Sequence, residues 1–423
     1  MNERKHYDII VIGGGFAGVA AAIAAAGEGK RVRLIEKYNC LGGAAVYDLV
    51  NPFMRYWDYT EGRREKVMLS CGLFTEMVEQ IHALGGFRDS NKQTFNEEIL
   101  KLVFNRMTIE AGVELLFNTT LVGAEVEGKT IRSITVSNVG GTYSMSADCY
   151  IDATGDANLA MLAGFDYRVG RESDGLCQPM TLCFRLGNVD REKYLACKAE
   201  INPLYQKLQA EGKIRNPREN VLIFNTVLDN VLHFNTTRVV KLDPTNAEDV
   251  TQAEIIAREQ VFEMIAFLRE NFEAFRNCVL LSTGMQIGAR ESRMIVGEYT
   301  LTQEDLVSCT RFPDSIAVCN YDIDIHSPDG SGTSHYYFPD GQYYTIPYRI
   351  LVPQGAANLL VTGRCVSATH EAQASLRIMP TVATLGEAAG IAAAIAVNTA
   401  TPVHAIDTDL LRKILREKGA KID

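Results

Sequence analysis

Cysteine pairs at ligand spacing are missing from this 423-residue chain. Its ten cysteines, Cys40, Cys71, Cys149, Cys177, Cys183, Cys197, Cys278, Cys309, Cys319 and Cys365, form no Cys-x-x-Cys or Cys-x-x-His pair. That leaves no zinc ribbon, no iron–sulfur run and no metal site to expect. The scatter reads as reduced, mostly buried thiols of a cytoplasmic protein rather than a disulfide framework. Positive charge is also in short supply. Against 52 Asp and Glu stand 42 Lys and Arg, a formal net charge of -10, with no long basic stripe. This argues against a nucleic-acid partner, because such binding relies on clustered cations that release counterions. An unbroken apolar run of membrane length is missing too. The most apolar late segment, Ile378 to Ala396, is interrupted by Glu387 and rich in Ala and Gly, so it suits a buried helix and not a membrane span. What remains is 47% hydrophobic and 22% charged, an ordinary globular composition long enough for two or three domains with a large core.

The chain opens with DIIVIGGGFAGVAAAIAAAGEGKRVRLIEK, Asp8 to Lys37, behind the charged start Asn2, Glu3, Arg4, Lys5 and His6. A charged start, an apolar run and alanines also mark a cleaved export signal. Spacing decides between the two. Tyr7 to Gly13 is a short β-branched run suited to a strand covered on both faces. Gly13, Gly15 and Gly18 follow in G-x-G-x-x-G register, and the small residues of Phe16 to Ala26 suit a helix packed tightly on a sheet. Gly27 and Gly29 end that helix; Arg31 to Ile35 is a second strand with Glu36 at its carboxyl end. In this order Gly13 permits the tight turn, Gly15 lets backbone approach a pyrophosphate, and Gly18 lets helix and strand pack closely. The free N–H groups at the helix start face the phosphates. Glu36, about 20 residues on, can accept hydrogen bonds from both ribose hydroxyls. An export signal explains neither Glu36 nor the glycine spacing, so the reading is a dinucleotide site in a protein that stays in the cytoplasm.

Later stretches extend the site beyond a single nicotinamide fingerprint. Asn39 to Ala45, NCLGGAA, is a loop of small residues that lets backbone lie close to a flat ligand. Tyr150 to Ala160, YIDATGDANLA, reads as a strand ending in Ala153-Thr154-Gly155 before a helix start. Asn358 to Arg364, NLLVTGR, reads as another, leading on to Met379-Pro380-Thr381. Together with MQIGARESRMIVGEYTLT, Met285 to Thr302, and GRCVSATHEAQASLRIMPTVATLGEAAG, Gly363 to Gly390, these residues carry a resemblance. From residue 7 to about 417 the chain resembles the FAD-dependent oxidoreductase family of the glutathione-reductase-like superfamily, in the branch sharing its FAD domain with succinate dehydrogenase and fumarate reductase flavoproteins.

The resemblance implies an α/β fold with a three-layer, Rossmann-like FAD-binding domain split between residues 1–165 and 345–423. Leu359 to Thr362 must rejoin the sheet begun by Ile9 to Ile12. An inserted α+β substrate domain is expected over 166–344, with a helix over Ala247 to Asn271 and a long loop over Ser327 to Gly341; an amphipathic helix is expected over Asp407 to Gly419. Gly13, Gly15 and Gly18, with the adjoining Phe16 and Ala17, would hold the pyrophosphate, and Glu36 and Lys37 the adenosine ribose end. Gly42 and Gly43 would face the flavin, Leu121 or Val122 the adenine, and Thr154, Gly155 and Asp156 would pass beside the pyrophosphate. Relatives often place Asp after the second strand-end glycine; here Arg364 follows Gly363. Pro380 suits the first turn of a helix through Thr381 to Ala396, whose dipole and free amides would stabilise a reduced flavin.

Candidate catalytic residues follow from the same segments. His370, read as lying in the loop before that helix, could be a general base, a flavin-facing donor or a structural hydrogen-bonder. Arg377 follows it. Arg290 and Arg293, three apart and on one face if the segment is helical, could bind a carboxylate substrate or pair with Glu291 or Glu298. Disulfide reductase chemistry is disfavoured because Ala45 stands where Cys40 would need a partner, and no histidine between His6 and His82 is available for covalent flavin attachment. The expected function is hydride transfer between noncovalent FAD and a small organic molecule, without membrane or nucleic acid and compatible with a homo-oligomer. Two alternatives are a flavin-bearing subunit that relays electrons to a partner protein and an NAD-linked dehydrogenase without flavin.

Overall fold

Residues 6–60, 62 and 64–423 are described by the computed structural model; Asn2 to Lys5 of the export-signal alternative lie outside the described residues. The strand His6–Ile12 pairs in parallel with Val32–Ile35 on one side and with Gly141–Asp152 on the other. Glu114–Leu116 extends the parallel sheet beyond Val32–Ile35. Gly141–Asp152 is long enough for two tasks. Its first half continues an antiparallel meander with Thr120–Glu127 and Thr130–Asn138, while its end pairs in parallel with Leu359–Val361. The carboxyl-terminal part of the chain therefore rejoins the sheet begun at its other end. Ile9, Ile10 and Val11 are fully buried without alternation, as expected for a parallel strand covered on both faces.

Two helices pack against each other next to this sheet. Phe16–Gly27 is buried from Phe16 to Ala25, and Met379–Thr399 from Pro380 to Ala396. The second is the one helix among the described residues long and apolar enough to cross a membrane, but 94% of its apolar window is buried inside the protein. Their contact depends on small residues. A Cβ on Gly386 would lie 2.1 Å from the Ala17 carbonyl oxygen, and one on Gly390 2.2 Å from that of Ala21. On the same helix Glu387 is buried, and its Oε2 accepts from the Leu73 N–H at 3.0 Å. It thereby satisfies a free donor at the start of the helix Leu73–Ala83, whose N-cap Gly72 offers no side chain. Burial pushes the Glu387 carboxyl up to about 7, the Glu76 charge adds to this, and Lys418 opposes it.

A second hydrophobic core is built by residues between Met180 and Ile287. Its four-stranded sheet runs in the order Ile223–Asn225, Leu232–Phe234, Phe184–Gly187, Val279–Thr283. Residues of the helices Arg191–Ala210 and Ala247–Asn271 complete it, and the rings of Phe184 and Phe234 stack at 4.8 Å. This core is narrower than the 166–344 expected for the inserted unit, because Ile295, Ile316, Tyr344 and Ile346 bury themselves in the first core. Ser327 to Gly341 is not all loop. Thr333–Tyr336 within it pairs antiparallel with Ile323–His326. The amphipathic helix near the end spans Thr408–Glu417, capped by the Asp407 side chain, with Leu411 and Leu415 buried.

Two substitutions test the helix contact. Gly386→Ala would gain up to about 1 kcal/mol of helix propensity on an exposed surface. Here the added methyl meets backbone, so a net loss of about 1–3 kcal/mol is expected in the denaturation midpoint. Glu387→Gln separates charge from shape. A buried acid raised above its unfolded value of 4.5 binds more protons folded than unfolded. Its contribution therefore falls as pH rises from about 4.5 through about 7, then levels off. The Gln variant is expected to gain at most about 3 kcal/mol at pH 8 and close to nothing at pH 4.5, read as thermal melts at both pH values.

Candidate active site

Strand register assembles the site. Ile12 lies opposite both Ile35 and Asp152, and Val361 opposite Asp152, so four strands end level with one another. The residues that follow each end line a single cavity: Gly13 to Ala17, Glu36 to Tyr38, Ala153 to Asp156, and Gly363 with Arg364. This is the carboxyl-edge crevice in which open α/β sheets bind ligands. Gly42, Gly43 and Ala44 line the same space, as do Ile378, Met379 and Val382 at the start of the Met379–Thr399 helix.

Each part of this edge has an identifiable physical cause. A Cβ on Gly18 would lie 1.8 Å from the Gly13 carbonyl oxygen, so Gly18 sets the approach of helix to strand and stays out of the cavity wall. Glu36 is buried; its carboxylate accepts from Gly14 N–H at 2.6 Å and Tyr38 N–H at 2.9 Å, while burial raises its pKa. The Phe16–Gly27 helix begins at Gly15 with no side-chain cap and no acid in its first turn, so its dipole and donors remain free for an anion. Asp152, which sequence reasoning overlooked, shapes the third turn. Its Oδ1 accepts from Thr154 N–H at 3.0 Å, and its Oδ2 from Leu159 and Ala160 N–H at 2.7 and 3.0 Å. Arg364 Nη2 sits 2.6 Å from Asp156 Oδ1. Burial alone would raise the Asp156 pKa, but the Arg364 charge and the Ser292 hydrogen bond hold it below its ordinary value. Asp48, also on the wall, is pushed up to about 6 by burial, with its bond from Gln286 acting against the rise.

These features fit an adenine dinucleotide whose flat end lies on small residues. An uncapped helix start, a buried acid beside the first turn and a cation at Arg364 are the complement of two phosphates and a ribose. A description of the family of FAD dependent oxidoreductases matches residues 8–415. The chain belongs to that family, and its cofactor is FAD. Among curated proteins it is 28% identical over 176 residues to a digeranylgeranylglycerophospholipid reductase of Methanoculleus marisnigri, covering 38% of this chain and 42% of that one. A digeranylgeranylglycerophospholipid reductase of Methanococcoides burtonii is 25% identical over 173 residues, covering 38% and 41%. The match thus spans about two fifths of these relatives' length. A geranylgeranyl bacteriochlorophyll reductase-like protein from Thermoplasma acidophilum is similar in structure at 12% identity, with a TM-score of 0.49 over 99% of this chain and 85% of that one. A flavin-dependent brominase is similar at 14% identity and a TM-score of 0.48, covering 98% and 83%.

In this family member most sequence candidates for the cofactor meet at the cavity: Gly13, Gly15, Phe16, Ala17, Glu36, Lys37, Gly42, Gly43, Thr154, Gly155, Asp156, Gly363 and Arg364. Others do not. Leu121 is half-buried and Val122 exposed on the meander, and neither lines the cavity. The segment beside Glu36 is instead Asn118 and Thr119, whose N–H groups donate to the Tyr38 and Glu36 carbonyls. Pro380 and Thr381 are buried one residue into their helix, and Ile378 and Met379 take their place on the wall. Thr381 Oγ1 donates to Cys319 Sγ.

The catalytic candidates separate in the same way. His370 is the first residue of a helix, His370–Leu376, capped by Thr369, and not part of a loop. It is buried off the cavity wall with Nδ1 2.8 Å from Glu291 Oε2. Arg290 and Arg293 share no helical face, because Arg293 starts the strand Arg293–Ile295. Arg293 braces the Gly155–Asp156 turn through the Asp156 carbonyl and Asn158 Oδ1, both at 3.3 Å, and is absent from the wall. Arg290 and Arg377 both line the cavity. Sequence reasoning missed their neighbours Thr181, Cys183, Asn235, Tyr321, Asp324 and His326 on the same cavity. No spacing rule links these residues; the packing of the second core beside the separate Ile323–His326 and Thr333–Tyr336 pair brings them together.

Gly15 offers a test of the cofactor end. A Cβ there would touch only Gly43 Cα at 3.8 Å, so Gly15→Ala is expected to leave the melting temperature of flavin-free protein unchanged. Its methyl enters the space beside the uncapped helix start. The purified variant is therefore expected to hold at least about tenfold less FAD at limiting concentration, read as the ratio of flavin to protein absorbance.

Proposed function

We propose that this protein transfers a hydride between noncovalently held FAD and a small polar organic substrate, in the cytoplasm. The observation that carries the reading is the continuity of one cavity. It runs along the glycine turns of the cofactor edge and is closed by Thr181, Asn235, Arg290, Tyr321, Asp324, His326 and Arg377. Bound there, FAD supplies a two-electron acceptor or donor for a C–H bond of the substrate.

The chain's own residues supply orientation and proton control. Burial and the Arg290 charge hold His326 neutral, down to about 3. Its Nδ1 faces Arg238 Nη2 at 3.1 Å and Arg218 Nη1 at 3.4 Å, both obligate donors, so Nδ1 accepts and the ring proton sits on Nε2. That nitrogen lies 3.4 Å from Asp324 Oδ2. Burial would raise the Asp324 pKa, yet the His326 bond and the Arg377 charge keep it below the usual carboxylate range. Tyr321, whose hydroxyl burial holds far above its ordinary pKa, donates to Asp324 Oδ2 at 3.3 Å. A protonated phenol held by an ionised acid can fix and orient a polar group of the substrate at this wall. Noncovalent attachment is supported by the wall nucleophiles: both His326 nitrogens are engaged, and burial pushes the Cys183 thiol up to about 12. The curated relatives are named for a phospholipid substrate; the charged wall here supports a polar one instead.

The visible spectrum of purified protein, followed by anaerobic titration with hydroxy acids, amines, sugars and NAD(P)H, tests the proposal. A yellow protein that releases its flavin on denaturation and is bleached by one organic class is expected. A colourless protein removes the reading, and bleaching by NADH alone turns it into a pyridine-nucleotide reductase.

A further inference from the structure

Arg290 and Arg377, half-buried on the cavity wall, differ from the fully buried arginines of this region. Arg218 and Arg238 lie behind the cavity and share Glu219, at 3.9 and 3.3 Å. Arg290 has neutral partners only: Nη1 donates to the Pro179 carbonyl at 2.7 Å and Thr181 Oγ1 at 2.6 Å, and Nη2 to Asn235 Oδ1 at 3.2 Å. Arg377 donates to the Ala374 and Asp324 carbonyls, each at 3.3 Å, and its Nη1 has no partner. Among the described residues neither guanidinium has a carboxylate within ion-pair distance. A half-buried guanidinium on a cavity wall without a carboxylate partner keeps charge and fork geometry for an anion that enters the cavity.

The surroundings leave that charge uncompensated. Four guanidiniums, Arg218, Arg238, Arg290 and Arg377, stand near three carboxylates, Glu219, Asp324 and Asp322, the last of these bonded to His335, while His326 adds no charge. Burial, then the charges of Arg218 and Arg377, push Arg290 down to about 9. The phosphates of the cofactor have their own partners at the other wall, where Lys37, Arg364 and the uncapped helix start are gathered. A second anion is therefore called for on the substrate side. We propose that Arg290 and Arg377 bind the carboxylate of the substrate, so that the substrate class is a small organic acid; this rests on the function proposed above. Guanidinium forks match the planar carboxylate, and Asp324 on the same wall disfavours the greater charge of a phosphate dianion.

The test uses the protein as purified, after its flavin content has been measured. Acetate, glycolate, oxalate and inorganic phosphate are titrated by calorimetry and, where flavin is present, by perturbation of its absorbance. Wild type is expected to bind at least one carboxylate more tightly than phosphate. Arg290→Lys and Arg377→Lys keep a positive charge but lose the fork, and each is expected to weaken that binding about tenfold or more with flavin content unchanged. Arg311→Lys, on the exposed surface over the Tyr343 ring, is the control expected to change nothing. Carboxylate binding equal in wild type and both Lys variants overturns the proposal, as does preference for phosphate. Loss of flavin in both Lys variants also overturns it, by assigning the arginines to the cofactor. A colourless wild type that still binds carboxylate in the calorimeter would sink the flavin reading while leaving this site standing.

Discussion

The close approach of two helices from opposite ends of the chain is the constraint on which the rest of this structure depends. Phe16–Gly27 carries the first glycine turn at its start, and Met379–Thr399 carries Ile378 and Met379 at its own. With Gly386 against the Ala17 carbonyl and Gly390 against that of Ala21, the axes approach until both helix starts border the same cavity. Any larger side chain at these glycines would meet backbone, which cannot rotate away. The parallel pairing of Leu359–Val361 with the end of Gly141–Asp152 then places the Gly363–Arg364 turn level with the first.

One cavity consequently holds two electrostatic settings. Along the sheet edge, free helix donors and Arg364 meet Asp156, Asp48 and Glu36, and the buried acids are kept in place by backbone N–H groups and by Gln286. Across it, Arg290 and Arg377 line the wall beside Asp324 and a histidine that burial keeps neutral. The first setting complements phosphates and a ribose; the second complements a small anion. Different segments of the chain build the two settings.

Much of the first setting was legible as residues in order. Glycine spacing and the acid at the end of the second strand obey short-range steric rules, so Gly13, Gly15 and Glu36 are legible in the residues, while Thr154 and Gly363 follow from the family resemblance. The helix Ala247–Asn271 forms over the expected residues, and in the structure the Asn246 side chain caps its start. Asp152 was missed because its role lies in bonds to its own following turn. In the sequence Glu387 interrupts an apolar run; in the structure it closes the start of a distant helix.

The sequence by itself determined the αβ turn, its dinucleotide chemistry and the burial of the late apolar helix, because each depends on backbone sterics or burial within a few tens of residues. Only the tertiary structure decided which charged groups face the cofactor. It drew His370 away into a pair with Glu291, turned Arg293 onto the Gly155–Asp156 turn, and joined Arg290 to Arg377, Asp324 and His326. Charge at a distance has no sequence period: whether an arginine meets a carboxylate, a carbonyl or open space is set by the packing of segments far apart in the chain.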